Sequence, residues 1–387
     1  MSQMEVVIVA IGRSPVGKAR KGCYARLHPV DLAAQTLNGV LEKVPQLKLS
    51  DIGDVVIGCA QPQDEQGFNV ARLIIQRAGL PDCVTAQTIN RFCSSGLQSI
   101  ATCANAILAG QEDVMIAGGV ESMSMVDMTK TDPSTRNEWL IKEIPGVYAS
   151  MGITAENVAK LYDITRQEME LFAVESHQKA GRAQKTGLLN DYIIPIKTVD
   201  ENGQWVLIEY DEGIRMDTNL EKLSTLKPCF KEDGIVTAAT SSQVSDAAGF
   251  TILMSSEKAE ELGIKPIAKF VGFATGGVPA DIMGIGPIAA VPKVLKKTKL
   301  TMEDVDVIEL NEAFAAQAIP CIRKLNLDIN KVNPYGGAIA LGHPMGATGI
   351  FLTCKALTYL KNNNGKYGMI TMCIGGGMGA AGIFKLC

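Results

Sequence analysis

A repeat within the chain constrains its fold more than any other feature of the sequence. Three pairs of segments match in order, namely 54–58 with 306–310, 90–96 with 340–346, and 113–119 with 367–373. The offset between partners stays near roughly 250 residues, whereas chance matches would drift. The sequence therefore predicts that a whole structural half has been duplicated.

Both parts of the chain alternate short β-branched runs with longer Ala-rich stretches, a pattern typical of α/β layers. The pattern predicts strands at 6–10, 54–58, 85–89, 113–117, 267–272, 305–310 and 367–373. It predicts helices at 29–44, 68–78, 94–109, 287–298, 313–323 and 345–360. We expect an N-terminal half at residues 1–262 and a C-terminal half at residues 263–387.

The segment 119–242 interrupts the first half. It is richer in charge, contains Met123, Met125 and Met128, and has a helical pattern at 166–185. We interpret this segment as an inserted loop domain that serves as a lid or a binding subdomain.

The composition excludes several classes of function. The chain is 47% hydrophobic and 20% charged, which suits a large core and excludes disorder. A formal net charge of −4 argues against general nucleic-acid binding. No apolar run is long enough to span a membrane and the start lacks signal-peptide features, so we expect a cytoplasmic protein. The ten cysteines form no Cys-x-x-Cys pair and the three histidines show no ligand spacing, so we expect reduced thiols and no metal site.

Cys93 and His343 are the first candidates for chemistry. Cys93 follows a predicted strand and begins a predicted helix, where the helix dipole lowers a thiol pKa and favours a nucleophilic thiolate. By the repeat, His343 holds the same position in the second half, so the two helix N-termini can face each other and place a base beside the thiol. The alternatives are a buried structural cysteine and a structural histidine.

Three further positions are weaker candidates on the residues alone. Gly375 lies in a glycine-rich turn after a strand, where backbone N–H groups can form an oxyanion hole. Cys373 ends that strand and is either a reactive thiol or a core residue. Asn311 lies between a predicted strand and helix, and a helix N-cap is its simpler explanation.

Taken together, these blocks resemble the thiolase family over essentially the whole chain. The matching blocks are Asn90-Arg91-Phe92-Cys93-Ser94-Ser95-Gly96, Asn311-Glu312-Ala313-Phe314-Ala315, Gly342-His343-Pro344, Cys373-Ile374-Gly375, Gly118-Gly119-Val120-Glu121-Ser122-Met123-Ser124 and 151–159. The resemblance implies an α/β fold of duplicated halves in a layered αβαβα arrangement, with an inserted loop domain. It implies a homodimer or homotetramer that acts on acyl-CoA and CoA in fatty acid β-oxidation.

The resemblance also implies a role for each site residue. Cys93 would carry the acyl group as a thioester, His343 would deprotonate Cys93, and Cys373 would exchange a proton with the acetyl carbon. One oxyanion hole would combine His343 with a water held by Asn311, and the other the N–H groups of Cys93 and Gly375. CoA would be a co-substrate, with no tightly bound cofactor. The expected substrate- and CoA-binding residues are Met151, Phe230, Ser242, Met283 and Phe314 along the tunnel and Arg215 beside the nucleotide.

One departure from the family pattern bears on the substrate. The short-chain biosynthetic branch has a histidine where this chain has Ser150. We therefore favour a 3-ketoacyl-CoA thiolase that works in the degradative direction over a biosynthetic acetoacetyl-CoA thiolase. A β-ketoacyl synthase would need a second histidine where Asn311 stands, and a non-catalytic acyl-CoA-binding relative would lack the nucleophile.

Overall fold

A computed structural model describes residues 5–127 and 132–387 of the chain, so Met128 lies outside the described residues. The strands are β1 Val6–Arg13, β2 Gly17–Lys18, β3 Asp54–Gly58, β4 Thr85–Ile89, β5 Val114–Ser122, β6 Ile196–Val199, β7 Trp205–Ile208, β8 Ser245–Ser255, β9 Ala268–Gly277, β10 Val307–Leu310, β11 Tyr367–Ile374 and β12 Met378–Leu386. The α-helices are α1 Pro29–Leu41, α2 Val70–Arg77, α3 Ser95–Leu108, α4 Glu138–Glu143, α5 Met151–Leu161, α6 Arg166–Lys185, α7 Leu220–Ser224, α8 Ser256–Glu261, α9 Gly286–Thr298, α10 Ala315–Lys324, α11 Ala338–Leu341 and α12 Thr348–Asn363.

The strand order shows the duplication directly. Within the described ranges, the main sheet runs β10-β11-β12-β9-β1-β8-β5-β3-β4, with β2 beside β8. Read outward from the antiparallel β1–β9 contact, β12 corresponds to β8, β11 to β5 and β10 to β3. The inner pairs are antiparallel and the outer pairs β3–β5 and β10–β11 are parallel in both halves. The two halves therefore share one topology, as the repeat in the sequence predicts.

Hydrophobic clusters lie between five layers of helices and strands. Leu37 of α1 and Ile74 of α2 pack on the outer face of the N-terminal strands. Ile100 of α3 and Leu357 of α12 share a central cluster with strands of both halves. Val294 of α9 packs with strands on the outer face of the C-terminal half. This is the expected αβαβα arrangement, with α3 and α12 in the central layer.

Glycines bring α3 and α12 into close contact near their N-termini. A Cβ on Gly349 of α12 would lie 2.0 Å from the Leu97 backbone nitrogen of α3. A Cβ on Gly96 would lie 2.8 Å from the Gly346 carbonyl oxygen. Side chains at these positions would force the helices apart, so the glycines allow the two helix N-termini to meet.

The region between β5 and β8 contains α4 to α7 and the small β6–β7 hairpin. Strand β5 continues to Ser122, so the first residues of the segment 119–242 belong to the sheet. Side chains of α5 and α6 form a cluster with Phe314 and Cys373, which joins this region to the C-terminal half. Across the described ranges, no helix is long and apolar enough to cross a membrane.

Candidate active site

Cys93 lies in a single 3-10 turn, Phe92–Ser94, immediately before α3. Phe92 adopts a left-handed conformation with φ 42°, which turns the chain sharply from β4 towards the helix. The thiol is 7% exposed and accepts hydrogen bonds from the backbone N–H groups of Gly375 and of Cys93 itself. They are the two N–H groups that the family resemblance implies for one oxyanion hole.

The expectation of a lowered thiol pKa is wrong for this structure. Burial is the largest effect and raises the pKa of Cys93 to about 12, and the nearby Glu121 carboxylate adds to the rise. The hydrogen bonds from Gly375 and Cys93 offset only part of it. The thiol is therefore protonated at neutral pH and needs a base to become a nucleophile.

His343 follows α11 after Gly342, which has φ 99°. Its Nδ1 lies 2.7 Å from Thr348 Oγ1, and the Thr348 hydroxyl itself donates to the Pro344 carbonyl oxygen at 3.0 Å. Thr348 Oγ1 therefore accepts a hydrogen bond from Nδ1–H, which leaves Nε2 unprotonated. Burial lowers the pKa of His343 to about 4, so the ring is neutral at pH 7 and can accept a proton at Nε2. No hydrogen bond joins these two described residues, His343 and Cys93.

Asn311 contacts His343 and does not cap a helix. Helix α10 begins at Ala315 with Phe314 as its N-cap, so the capping explanation is wrong. The Asn311 backbone N–H donates to Thr371 of the neighbouring strand β11 at 2.9 Å, which fixes the turn after β10. Its side-chain Nδ2 lies 3.3 Å from His343 Nε2, and its Oδ1 is buried without a hydrogen-bond partner.

Cys373 is completely buried in β11. Burial raises the pKa of its thiol well above the usual value, and the nearby Cys93 adds to this effect. The influence of Cys93 on this pKa indicates that the Cys93 and Cys373 thiols are neighbours at one site. A thiol held neutral in this way can give up a proton only to a strong base, such as a carbanion.

A cavity of about 700 Å³ opens at Cys93 and His343. Most of the predicted binding residues line it, namely Met151, Phe230, Ser242, Met283 and Phe314. The Phe230 and Phe314 rings meet edge to face with their centroids 5.9 Å apart. Such an apolar passage suits a pantetheine arm and an acyl chain.

Four predicted residues do not line this cavity. Asn311, Cys373 and Gly375 lie behind its wall, next to His343 or Cys93. Arg215 is exposed elsewhere, and its backbone N–H donates to His177 Nδ1 at 3.1 Å. The structure thus brings the catalytic candidates together and leaves Arg215 apart from the cavity wall.

Sequence reasoning missed the side chains that hold the loops of the site. Glu121, at the end of β5, is fully buried and accepts N–H groups of Ala60, Gln61 and Gly346 and the Gln66 amide. It therefore joins the loop after β3 to the turn that follows His343. A carboxylate within a buried glycine-rich strand was the available signal, because buried charges need partners.

Gln243 holds the His343 loop from the other side. Its carbonyl oxygen accepts the His343 N–H at 3.1 Å, and its side chain donates to the Gly213, Ile339 and Ala340 carbonyl oxygens. Nothing in the local sequence pattern singles out this glutamine. Within the described ranges, no group of three His, Cys, Asp or Glu side chains could hold a metal ion.

Known proteins are similar to this chain along almost its whole length. The family models "Thiolase, N-terminal domain" and "Thiolase, C-terminal domain" match residues 6–257 and 264–386. A 3-ketoacyl-CoA thiolase of Bacillus subtilis (strain 168) is 50% identical, over 99% of this chain and 100% of that protein. A 3-ketoacyl-CoA thiolase of Saccharophagus degradans is 46% identical, over 98% of each chain.

Solved structures show the same likeness. The Bacillus anthracis acetyl-CoA acetyltransferase superposes with a TM-score of 0.91 at 37% identity, over 100% of this chain and 99% of that one. The dimeric peroxisomal thiolase of Saccharomyces cerevisiae superposes with a TM-score of 0.92 at 40% identity, over 99% and 97% of the two chains. The shared fold therefore extends across both halves and the inserted region.

Proposed function

This chain belongs to the thiolase family, and from that premise we propose that it cleaves 3-ketoacyl-CoA with CoA, giving acyl-CoA and acetyl-CoA. The same acyltransferase can run the reverse Claisen condensation. The observation that carries the proposal is the meeting of Cys93 and His343 at one apolar cavity, with two N–H groups directed at the Cys93 sulfur. An acyl group on that sulfur would place its carbonyl oxygen beside donors already in position.

The residues divide the reaction into two steps. In the first, His343 Nε2 takes the Cys93 proton and the sulfur attacks the 3-keto carbon. The bond between C2 and C3 then breaks, the acyl group remains on Cys93, and the acetyl-CoA carbanion takes a proton from Cys373. In the second, the Cys373 thiolate takes the proton of the CoA thiol and the CoA sulfur attacks the acyl-Cys93 thioester. The bond between the acyl carbon and the Cys93 sulfur then breaks, acyl-CoA leaves, and the Cys93 thiolate recovers its proton from His343.

Each oxyanion would have its own pair of donors. The Cys93 and Gly375 N–H groups are next to the sulfur, so they would bind the oxygen of the acyl group. His343, with a water held by Asn311, would bind the thioester oxygen of acetyl-CoA, where negative charge develops when the carbon–carbon bond breaks. Catalysis needs such donors where charge develops, since they stabilise the transition state more than the substrate.

Several observations favour the degradative direction. The relatives at 50% and 46% identity are named 3-ketoacyl-CoA thiolase, whereas the structure named acetyl-CoA acetyltransferase is 37% identical. Ser150 lines the cavity just before α5, so the larger imidazole of the biosynthetic branch is missing there. Of the methionines in the inserted segment, Met123 lines the cavity and Met125 does not, whereas Met128 lies outside the described part of the chain. The runner-up function is a biosynthetic acetoacetyl-CoA thiolase.

The cellular setting follows from the same proposal. We place the enzyme in fatty acid β-oxidation in the cytoplasm, with CoA as a co-substrate and no tightly bound cofactor. A homodimer or homotetramer is supported by β4, which ends the sheet order of the described residues, and by Phe68, whose side chain is 98% exposed near it. A sheet edge and an exposed aromatic ring are typical of an interface, and the yeast relative is described as dimeric.

Steady-state thiolysis across 3-ketoacyl-CoA chain lengths tests the proposal. We expect 3-ketohexanoyl-CoA to be cleaved at least as efficiently as acetoacetyl-CoA, since each buried methylene gains about 0.8 kcal/mol. Cys93→Ser, the matched control, should lose several orders of magnitude in kcat because a hydroxyl is a far weaker nucleophile. Strict preference for acetoacetyl-CoA would favour the biosynthetic function. Binding of acyl-CoA without turnover would leave only a binding protein.

A further inference from the structure

A second, much smaller cavity lies behind the catalytic side chains. It has a volume of about 20 Å³ and is lined by Asn311, Thr348 and Lys355, together with the Arg13–Asp211 ion pair. The Asn311 amide separates it from His343, because Nδ2 is directed to the His343 ring. The other end of the amide, Oδ1, is buried without a hydrogen-bond partner, as is Glu309 Oε1.

Lys355 places a buried positive charge at the small cavity. Its side chain is 6% exposed on α12 and donates to Glu309 Oε2 at 2.6 Å and to the Gly336 carbonyl oxygen. A lysine ammonium has three N–H donors, so one remains after these two hydrogen bonds. Glu309 lies two residues before Asn311, and Gly336 lies in the loop that leads to α11 and His343. The lysine is thus tied to both segments that carry the second oxyanion hole.

The size and chemistry of the small cavity suit one water molecule. A buried water needs at least about 10–15 Å³ and two to four polar partners. We propose that one water bridges Lys355 Nζ to Asn311 Oδ1, and that Lys355 is a positioning residue which keeps Asn311 Nδ2 directed at the active site. The inference rests on the proposed function, in which the Asn311 amide serves an oxyanion hole.

The bridge matters because an amide can rotate by half a turn and present its oxygen instead of its nitrogen. With the amide reversed, Oδ1 would face the unprotonated Nε2 of His343, and two acceptors would repel each other. The water of the oxyanion hole would then lose the N–H group that holds it. A water that accepts a hydrogen bond from Lys355 and donates one to Oδ1 makes the correct orientation the favoured one, since Oδ1 then has a partner on the opposite side.

The test combines a crystal structure with a mutant cycle. In the wild-type protein, we expect one ordered water within hydrogen-bond distance, about 2.7–3.2 Å, of both Lys355 Nζ and Asn311 Oδ1. An empty cavity, or a water bound only to Arg13 and Asp211, would overturn the inference. This readout does not depend on turnover, so it separates failure of the inference from failure of the proposed function.

The matching kinetic experiment uses Glu309→Gln/Lys355→Met, which removes both buried charges together and so leaves neither unpaired. We expect kcat for thiolysis to fall by about tenfold with KM nearly unchanged, because the substrate still binds while the amide is misplaced. In an Asn311→Ala background, the same two changes should cause no further loss. Asp191→Asn/Lys361→Met removes an exposed ion pair formed by another lysine of α12 and should leave kcat unchanged. Wild-type kcat in the double variant, or an equal loss with and without Asn311, would overturn the inference.

Discussion

Replacing Gly349 with alanine tests whether close packing of α3 and α12 assembles the active site. The new Cβ would lie 2.0 Å from the Leu97 backbone nitrogen, whereas ordinary contact begins at 3.4 Å. The neighbouring atoms belong to the backbone of α3 and cannot rotate away. The two helices must therefore separate by roughly 1.4 Å, which is the difference between these distances.

The expected loss follows from what the two helices carry. Cys93 immediately precedes α3, and Thr348, which holds the His343 ring, begins α12. A displacement of about 1 Å in reacting groups costs about 100-fold in rate, so we expect kcat/KM for thiolysis to fall by at least that factor. Overpacking of this kind also costs about 1–3 kcal/mol of folding free energy.

Thiolysis rates and thermal unfolding of purified variants measure both effects. Gly96→Ala should be milder than Gly349→Ala, since its Cβ would lie 2.8 Å from the Gly346 oxygen. Gly277→Ala is the matched control, because its Cβ would meet no atom within 4 Å, and it should behave as wild type. Wild-type activity and stability in Gly349→Ala would refute the packing argument.

Two further predictions concern Cys373 and His343. Cys373→Ala should abolish carbon–carbon cleavage yet still form acetyl-Cys93 from acetyl-CoA, because acyl transfer needs no proton at the acetyl carbon; absence of the adduct by intact-protein mass spectrometry would contradict this division. The low pKa of His343, about 4, predicts that kcat/KM holds steady from pH 7 to about 5.5, and a fall with an apparent pKa near 6.5 would contradict it. The lowered pKa of His343 also contributes to the free energy of unfolding. This contribution is fully present above about pH 6.5 and declines as pH falls towards 4, because between these values only the unfolded state takes up the proton.

The repeat made the fold predictable. Strands that lack an alternation of apolar and polar residues were not predicted. Helix α6 and strands β3 and β4 have the predicted bounds. Strands β8 and β12 were missed because central strands are buried on both faces and these two contain alanines and glycines in place of alternating residues. The helix expected at 345–360 begins at Thr348, because the turn at 344–347 carries His343 to its position.

The site was predictable where residue type decides chemistry and unpredictable where burial decides it. The repeat predicted that Cys93 and His343 would begin helices that face each other. The sequence predicts a lowered pKa for Cys93, and this prediction was wrong because the degree of burial is a property of the assembled fold. Glu121 and Lys355 were not identified, since their partners lie far away in sequence.

The most direct test of the account is to locate the acyl group during turnover. The protein is incubated with acetyl-CoA, quenched with acid and mapped by peptide mass spectrometry, with Cys93→Ser treated in parallel. We expect one acetyl group on the peptide that contains Cys93, its loss on addition of CoA, and none in the variant. An acetyl group on another cysteine, or thiolysis by Cys93→Ser at the wild-type rate, would contradict the assignment of Cys93 as the nucleophile.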